Sequence, residues 1–200
     1  MGDRNAFFYA LLGTLMAPQV LYRVCYGSPT PSALQKSFLT ISPSILHSYS
    51  RHRIHECDYP CIVPSPGSSV RGTLVQGLTE GDLWRLDIFE GGQYTREKVR
   101  VRLLQEGGDE ERKHNVKGGE VEAETYVWAD DRQDLEGEWD FDEFHREKMQ
   151  RWIGTNEEYA EVDDAVRADG KDPTGGRGAN GKLTKQLDAK KVDEALPHAI

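Results

Sequence analysis

The chain has no apolar stretch long enough to cross a bilayer, no block of basic residues and no even set of cysteines. Its longest apolar run, AFFYALLGTLMA, is interrupted by Gly13 and Thr14. It is about a dozen residues long, where a membrane-spanning helix needs roughly 20. The acid-bearing lead MGDRN and the lack of a small-residue cleavage site argue against a secretory leader, and Ala6 stands where a myristoylation signal carries Ser or Thr. A formal net charge of -9 at pH 7 repels phosphate backbones and argues against a nucleic-acid-binding role. Cys25, Cys57 and Cys61 are an odd set, unlike a disulfide framework. Cys57-x3-Cys61, with His52 and His55 close by, is a weak zinc pattern. The expectation is reduced structural thiols, no metal, no membrane and a cytoplasmic setting. There is no internal repeat.

What is present divides unevenly. Residues 1–154 hold most of the large apolar side chains. From Thr155 onward the chain carries few of them, many charges of both signs and a glycine cluster, too little to offset its ordering entropy. We read 1–154 as one domain and 155–200 as a charged, mostly disordered tail, helical in patches.

Within the domain, NAFFYALL (5–12) reads as a strand buried on both faces. APQVLYRVCYG is a short helix, with Pro18 in its first turn and Gly27 past its end. ILHSYSRHRIHE and YPCIVPS read as strands, SPGSS as a turn and VRGTLVQGL as a further strand. QYTREKVRVRLL alternates as a half-buried strand. Residues 105–119 form a polar, glycine-rich excursion, EVEAETYVWA returns as a strand, and GEWDFDEFHREKMQRWI is a last amphipathic helix. Many strands and few helices predict an α+β fold whose mixed sheet closes into a small barrel with flanking helices.

One stretch departs from these patterns. In GLTEGDLWRLDIFEGGQYTR, Thr79 is a candidate N-cap, and Glu80 and Asp82 sit where the helix dipole favours negative charge. Leu83, Leu86 and Glu90 then share one helical face, so a carboxylate stands where a core residue belongs. Turned to water, Glu90 does nothing. Turned inward, beside Ile88 and Phe89, it gains proton affinity and suits acid-base work near neutral pH. Gly91 and Gly92 allow a sharp reversal, and Tyr94 and Arg96 follow on one strand face. GTLM, after the first apolar run, is either an ordinary loop or a turn whose N–H groups converge on an anion.

Three segments, FFY…GTLMAPQVL, DYPCIVPSPGSSVRGTLVQGLTEGDLWRLDIFEGGQYTREKVRV and ETYVWA, together resemble the gamma-glutamyl cyclotransferase-like superfamily, within its plant and fungal avirulence-induced-gene-like branch. The likeness runs from about Ala6 to about Ile153 and is most specific from Tyr59 to Val101. It implies a small barrel with helices packed around it, and it matches Glu90 to the family's catalytic glutamate. Gly13, Thr14 and Leu15 match the family's substrate loop, Tyr-Gly-Thr/Ser-Leu. The tyrosine of that pattern does not directly precede Gly13: Tyr9 is set apart from it by the inserted Ala10, Leu11 and Leu12, so either these bulge out and Tyr9 keeps the role, or Leu12 takes the tyrosine's place and the site is altered.

The resemblance implies cleavage of a gamma-glutamyl amide by attack of the substrate's own alpha-amine on its gamma-carbonyl, releasing 5-oxoproline and an amine. Glu90 is then the proton acceptor and donor. Tyr9, Gly13, Thr14, Leu15, Tyr94 and Arg96 are the candidate substrate-binding residues; for Arg96, bracing Glu90 or a purely structural role stands beside substrate contact. No cofactor is implied, and the partner is a small gamma-glutamyl compound. The alternative is a ligand-binding module on the same fold, its loop disabled by the Ala10–Leu12 insertion. Oligomeric state is left unassigned.

Overall fold

The computed structural model describes residues 13–105, 116–154 and 157–169. The strand expected at 5–12, with Tyr9 and Ala10–Leu12, lies outside them, as does everything after residue 169. The chain enters through a 3-10 turn, Thr14–Met16, into helix α1, Pro18–Tyr26. Pro18 stands in the first turn of α1, and Gly27 ends it at φ 73°, a left-handed cap that a glycine adopts without a Cβ clash. A short helix α2, Ala33–Lys36, carries a Ser32–Gln35 capping box.

Strands β1 (Thr40–Arg53), β2 (Pro60–Gln76), β3 (Tyr94–Gln105) and β4 (Val116–Trp128) form one four-stranded sheet in the order β2-β1-β3-β4. Every neighbouring pair is antiparallel. SPGSS, expected as a turn between two strands, instead bulges from the single long strand β2. Pairing jumps from His47–Ser69 to Tyr49–Pro64, so Ser65–Ser68 face one residue of β1, Ser48. Gly67 at φ 85° and Ser48 at φ 66° absorb the mismatch.

The sheet does not close into the expected barrel. Among the described residues no ladder joins β2 to β4. Closure requires ladder bonds between those two edges, and edge strand β2 carries Pro60, Pro64 and Pro66, which have no N–H to give. Curvature still brings the two edges together through side chains. Leu46, Ile62, Val70, Leu74, Val101 and Val127 share one apolar cluster, and Trp128 packs with Cys61 and Val63 in another.

The larger core lies between the sheet and the helices. Val20, Leu21, Val24 and Cys25 of α1 meet Leu83 and Leu86 of helix α3, Glu80–Glu90, and all six are at most 6% exposed. The last amphipathic helix is broken into α4 (Phe141–Glu147) and α5 (Met149–Gly154), with Trp139, Phe144, Met149 and Trp152 buried in the same core. Of the segment expected as a charged, mostly disordered tail, helical in patches, the structure describes residues 157–169. A 3-10 turn, Glu157–Tyr159, leads into helix α6, Ala160–Asp169, with Tyr159 and Val162 1% and 2% exposed. Tyr159, Val162 and the Arg23–Asp163 ion pair hold this segment against the domain. No helix among the described residues is long and apolar enough to cross a membrane.

Candidate active site

Helix α3 aims the site. Thr79 caps it in a reciprocal box: the Asp82 N–H donates to Thr79 Oγ1 (3.2 Å), and the Thr79 N–H donates to Asp82 Oδ2 (2.8 Å). Leu83 and Leu86 drive one face of the helix into the core. Glu90 continues that face but stands at the helix end, where the core gives way to a cavity. Gly91 then ends the helix at φ 71°, ψ -172°, its N–H donating to the Asp87 carbonyl (3.1 Å). Gly91 is therefore the glycine that the reversal requires; Gly92 has no positive φ.

The cavity is about 430 Å³. It is walled by the Gly13–Leu15 turn, by Tyr59 and Pro60 at the start of β2, by Ile88–Gln93, by Tyr94, Tyr126 and Trp152, and by Glu157, Glu158, Glu161 and Val162 of the C-terminal segment. Of the residues singled out in the sequence, Gly13, Thr14, Leu15, Glu90 and Tyr94 come together on it. Tyr9 lies outside the described residues. Arg96 is not on the wall.

Glu90 is half-buried: one side borders the cavity and the rest is surrounded by protein. Its carboxyl is pushed up to about 8, first by this loss of solvation and then by the charge of Asp87 three residues back. Among the described residues no hydrogen bond or ion pair engages it, so its proton is held by environment rather than by a partner. Asp87 is itself held by two groups. Tyr126 donates its hydroxyl to Asp87 Oδ1 (2.5 Å), and Arg96 Nε lies 3.3 Å from the same oxygen while Arg96 Nη1 lies 3.6 Å from Glu124. Arg96 thus meets Asp87 and Glu124 and has no ion pair with Glu90 among the described residues. Tyr94 packs edge-on to Trp128 at 5.3 Å and donates its hydroxyl to the Pro60 carbonyl (3.1 Å), tying β3 to the start of β2. Burial, then Glu90, pushes the Tyr94 phenol up, so it stays protonated.

Opposite these groups the Gly13–Leu15 turn is seated on Pro60. A Cβ on Gly13 would fall 2.2 Å from Pro60 Cδ, and Gly13 has φ 153°, so this place takes only glycine without strain. Thr14 and Leu15 are 6% and 3% exposed. The N–H groups of Met16 and Ala17 donate to the Gly13 and Thr14 carbonyls, both at 3.1 Å. The N–H groups of Thr14 and Leu15, at the head of the turn, have no partner among the described residues, as the first donors of a helical turn generally do not. The cavity therefore brings together a carboxyl shifted toward neutrality, the Gly13–Leu15 turn, aromatic rings and three further glutamates. That arrangement can move a proton and steady a developing negative charge.

Tyr59, Gln93, Tyr126, Trp152 and the three C-terminal glutamates were not legible as site residues. Tyr126 stands in a nearly unbroken buried run, which signals burial and nothing more. Among the described residues no group of three His, Cys, Asp or Glu side chains is placed to hold a metal ion. His55 instead contacts Glu136 (2.7 Å), and Cys25 and Cys61 are buried.

The cavity, lined by Glu90 and by Glu157, Glu158 and Glu161, lies in an α+β domain. The chain belongs to the family described as "Gamma-glutamyl cyclotransferase, AIG2-like", whose profile matches residues 6–141. It is 35% identical over 160 residues to Protein AIG2 B of Arabidopsis thaliana, covering 80% of each chain. It is 36% identical over 150 residues to AIG2-like protein D of the same plant, covering 74% of this chain and 86% of that one. Among solved structures, one determined in solution for an Arabidopsis thaliana protein matches at a TM-score of 0.45 and 26% identity, over 80% of this chain and 90% of that chain. Another, described as "Gamma-glutamyl cyclotransferase", matches at 0.44 and 17% identity, over 65% and 68%.

Proposed function

We propose that the chain is a gamma-glutamylcyclotransferase: it cleaves a gamma-glutamyl amide to 5-oxoproline and a free amine, with Glu90 carrying the proton. The observation that bears most on this is the placement of Glu90, pushed up to about 8, on the same cavity as the Gly13–Leu15 turn.

The nucleophile belongs to the substrate, so the protein needs no serine or cysteine of its own. The alpha-nitrogen bonds to the gamma-carbonyl carbon, closing a five-membered ring. Tethering it in an attacking pose removes several kcal/mol of entropic barrier. The alpha-amine attacks in its free-base form, and ionised Glu90 accepts the proton that the nitrogen sheds as the ring closes. The N–H groups of Thr14 and Leu15 receive the carbonyl oxygen as it gains charge. The amide C–N bond then breaks, and Glu90 returns the proton to the leaving nitrogen. A base near 8 suits both transfers, since it binds the proton and also releases it near neutrality.

The test is release of 5-oxoproline from a panel of gamma-glutamyl compounds. Wild-type protein is expected to turn over at least one of them, with kcat/KM rising as Glu90 ionises through about pH 8. Glu90→Gln is expected to lose about a hundredfold or more in kcat. Full activity in that variant removes Glu90 from the mechanism. Saturable binding with no product supports instead the module disabled by Ala10–Leu12.

A further inference from the structure

We infer that the C-terminal wall of the cavity, from Glu157 to Val162, selects the leaving group, and that it favours an amine whose far end carries positive charge. The inference rests on the cyclotransferase reading of the cavity. The family profile ends at residue 141, so this wall comes from a part of the chain that the profile does not describe.

The wall is fixed relative to Glu90. Arg23 of α1, 8% exposed, donates through Nη1 to Asp163 Oδ1 (2.9 Å) and through Nη2 to Asp163 Oδ2 (2.6 Å). Its guanidinium also lies 4.6 Å above the ring of Tyr159. Tyr159 in turn stacks on Phe89 at 5.7 Å, and Phe89 is the residue before Glu90. A chain of contacts thus runs from α1 through the C-terminal segment to the end of α3. Such a wall is positioned, not merely nearby.

The charge of the wall has one sign. Glu157, Glu158 and Glu161 join Glu90 on the cavity, and no Lys, Arg or His side chain lines it among the described residues. Glu158 has Arg151 at 3.8 Å, off the wall. Glu157 and Glu161 have no ion-pair partner among the described residues, and Arg23 is already matched by Asp163. Trp152, 3% exposed, lines the same cavity. With the glutamyl end held by the Gly13–Leu15 turn and Glu90, the leaving amine is the part of the substrate left to meet this wall. A distal ammonium gains from the field there, whereas a distal carboxylate is repelled.

The experiment compares three gamma-glutamyl amides of equal chain length that end in an ammonium, a methyl or a carboxylate group. Release of 5-oxoproline is followed for wild-type protein and for a Glu157→Gln, Glu158→Gln, Glu161→Gln triple variant. In low salt the ammonium compound is expected to exceed the carboxylate compound by about tenfold in kcat/KM, a ratio that shrinks with added salt. The ratio is expected to narrow in the triple variant. Equal values in the wild-type protein, or a ratio that survives both salt and the triple variant, overturn the inference while leaving the cyclotransferase reading standing. No product from any of the three, or from the wider panel, overturns that reading and the inference with it. The salt dependence of the wild-type ratio decides the matter even if the variant does not fold.

Discussion

Glu90 holds its proton because protein surrounds it, and that has a thermodynamic consequence at the scale of the residue. Its folded value lies near 8, against 4.5 for the free side chain. The folded state therefore binds more protons than the unfolded state across that window. The sign follows: its contribution to stability is whole below about pH 4.5 and is lost as pH rises through about 8. Glu90→Gln removes the titration. After discounting for its contact with solvent, the variant is expected to gain on the order of 1 kcal/mol at pH 8 relative to wild type, and almost nothing at pH 4. Chemical denaturation at the two values measures it, and equal gains at both leave burial without its supposed cost. Gly13→Ala acts oppositely. Its Cβ meets Pro60 at 2.2 Å with φ at 153°, so a loss on the order of 2 kcal/mol and a displaced turn are expected in melting and in 5-oxoproline release.

At the scale of the element, α3 and α6 are built on different terms. Helix α3 carries its own instructions: a Thr79–Asp82 box at its start, Leu83 and Leu86 on one face, and Gly91 at its end. All of these are local; the Thr79 cap, the leucine face and the glycine reversal were legible in the sequence, whereas Asp82 was read there only as a charge suited to the helix dipole. Helix α6 has little beyond Tyr159 before it, Val162, and the Arg23–Asp163 pair, whose members lie 140 residues apart. No local pattern announces a pair so distant, and this is why the segment read as tail. The Arg23 guanidinium holds the Asp163 carboxyl below the usual carboxylate range, chiefly through their hydrogen bond and against the opposing effect of burial. A lowered folded value means that this stabilisation is present above the unfolded value of 3.8 and is lost as pH falls through the folded one. Asp163→Asn is expected to cost about 2 kcal/mol at neutral pH, since it leaves a buried Arg23 without its counter-charge. It should also flatten the loss of stability in acid. Denaturation profiles from pH 7 to pH 2 check both, and a variant with the wild-type acid limb removes Asp163 from the account.

Across the whole molecule, the site is an assembly of segments that alternation and periodicity describe one at a time. The four-stranded order β2-β1-β3-β4 brings Tyr126 of β4 and Tyr94 of β3 to the end of α3, and α5, the Glu157–Tyr159 turn and α6 bring Trp152 and three glutamates to the same space. Such convergence is a property of pairing and packing. Alternation in β3 identifies which residues share a face, but not which strand lies beside it. The open sheet makes the same point: β1, β3 and β4 were legible as strands and β2 as two, but the failure to close was not, because closure depends on whether β2 and β4 share a ladder.

The sequence alone determined the chemistry available here: one glutamate on an apolar helical face, a glycine to turn the chain after it, a Gly-Thr-Leu turn upstream, and no large unbroken apolar span. These follow from short-range rules of capping, periodicity and backbone freedom, which act within a few residues. Only the tertiary structure decided that Glu90 meets the cavity rather than open water, that Arg96 serves Asp87, and that a piece of the apparent tail becomes a wall of the site. Those outcomes turn on solvation and on charges brought together from distant parts of the chain, and neither exists until the chain is folded.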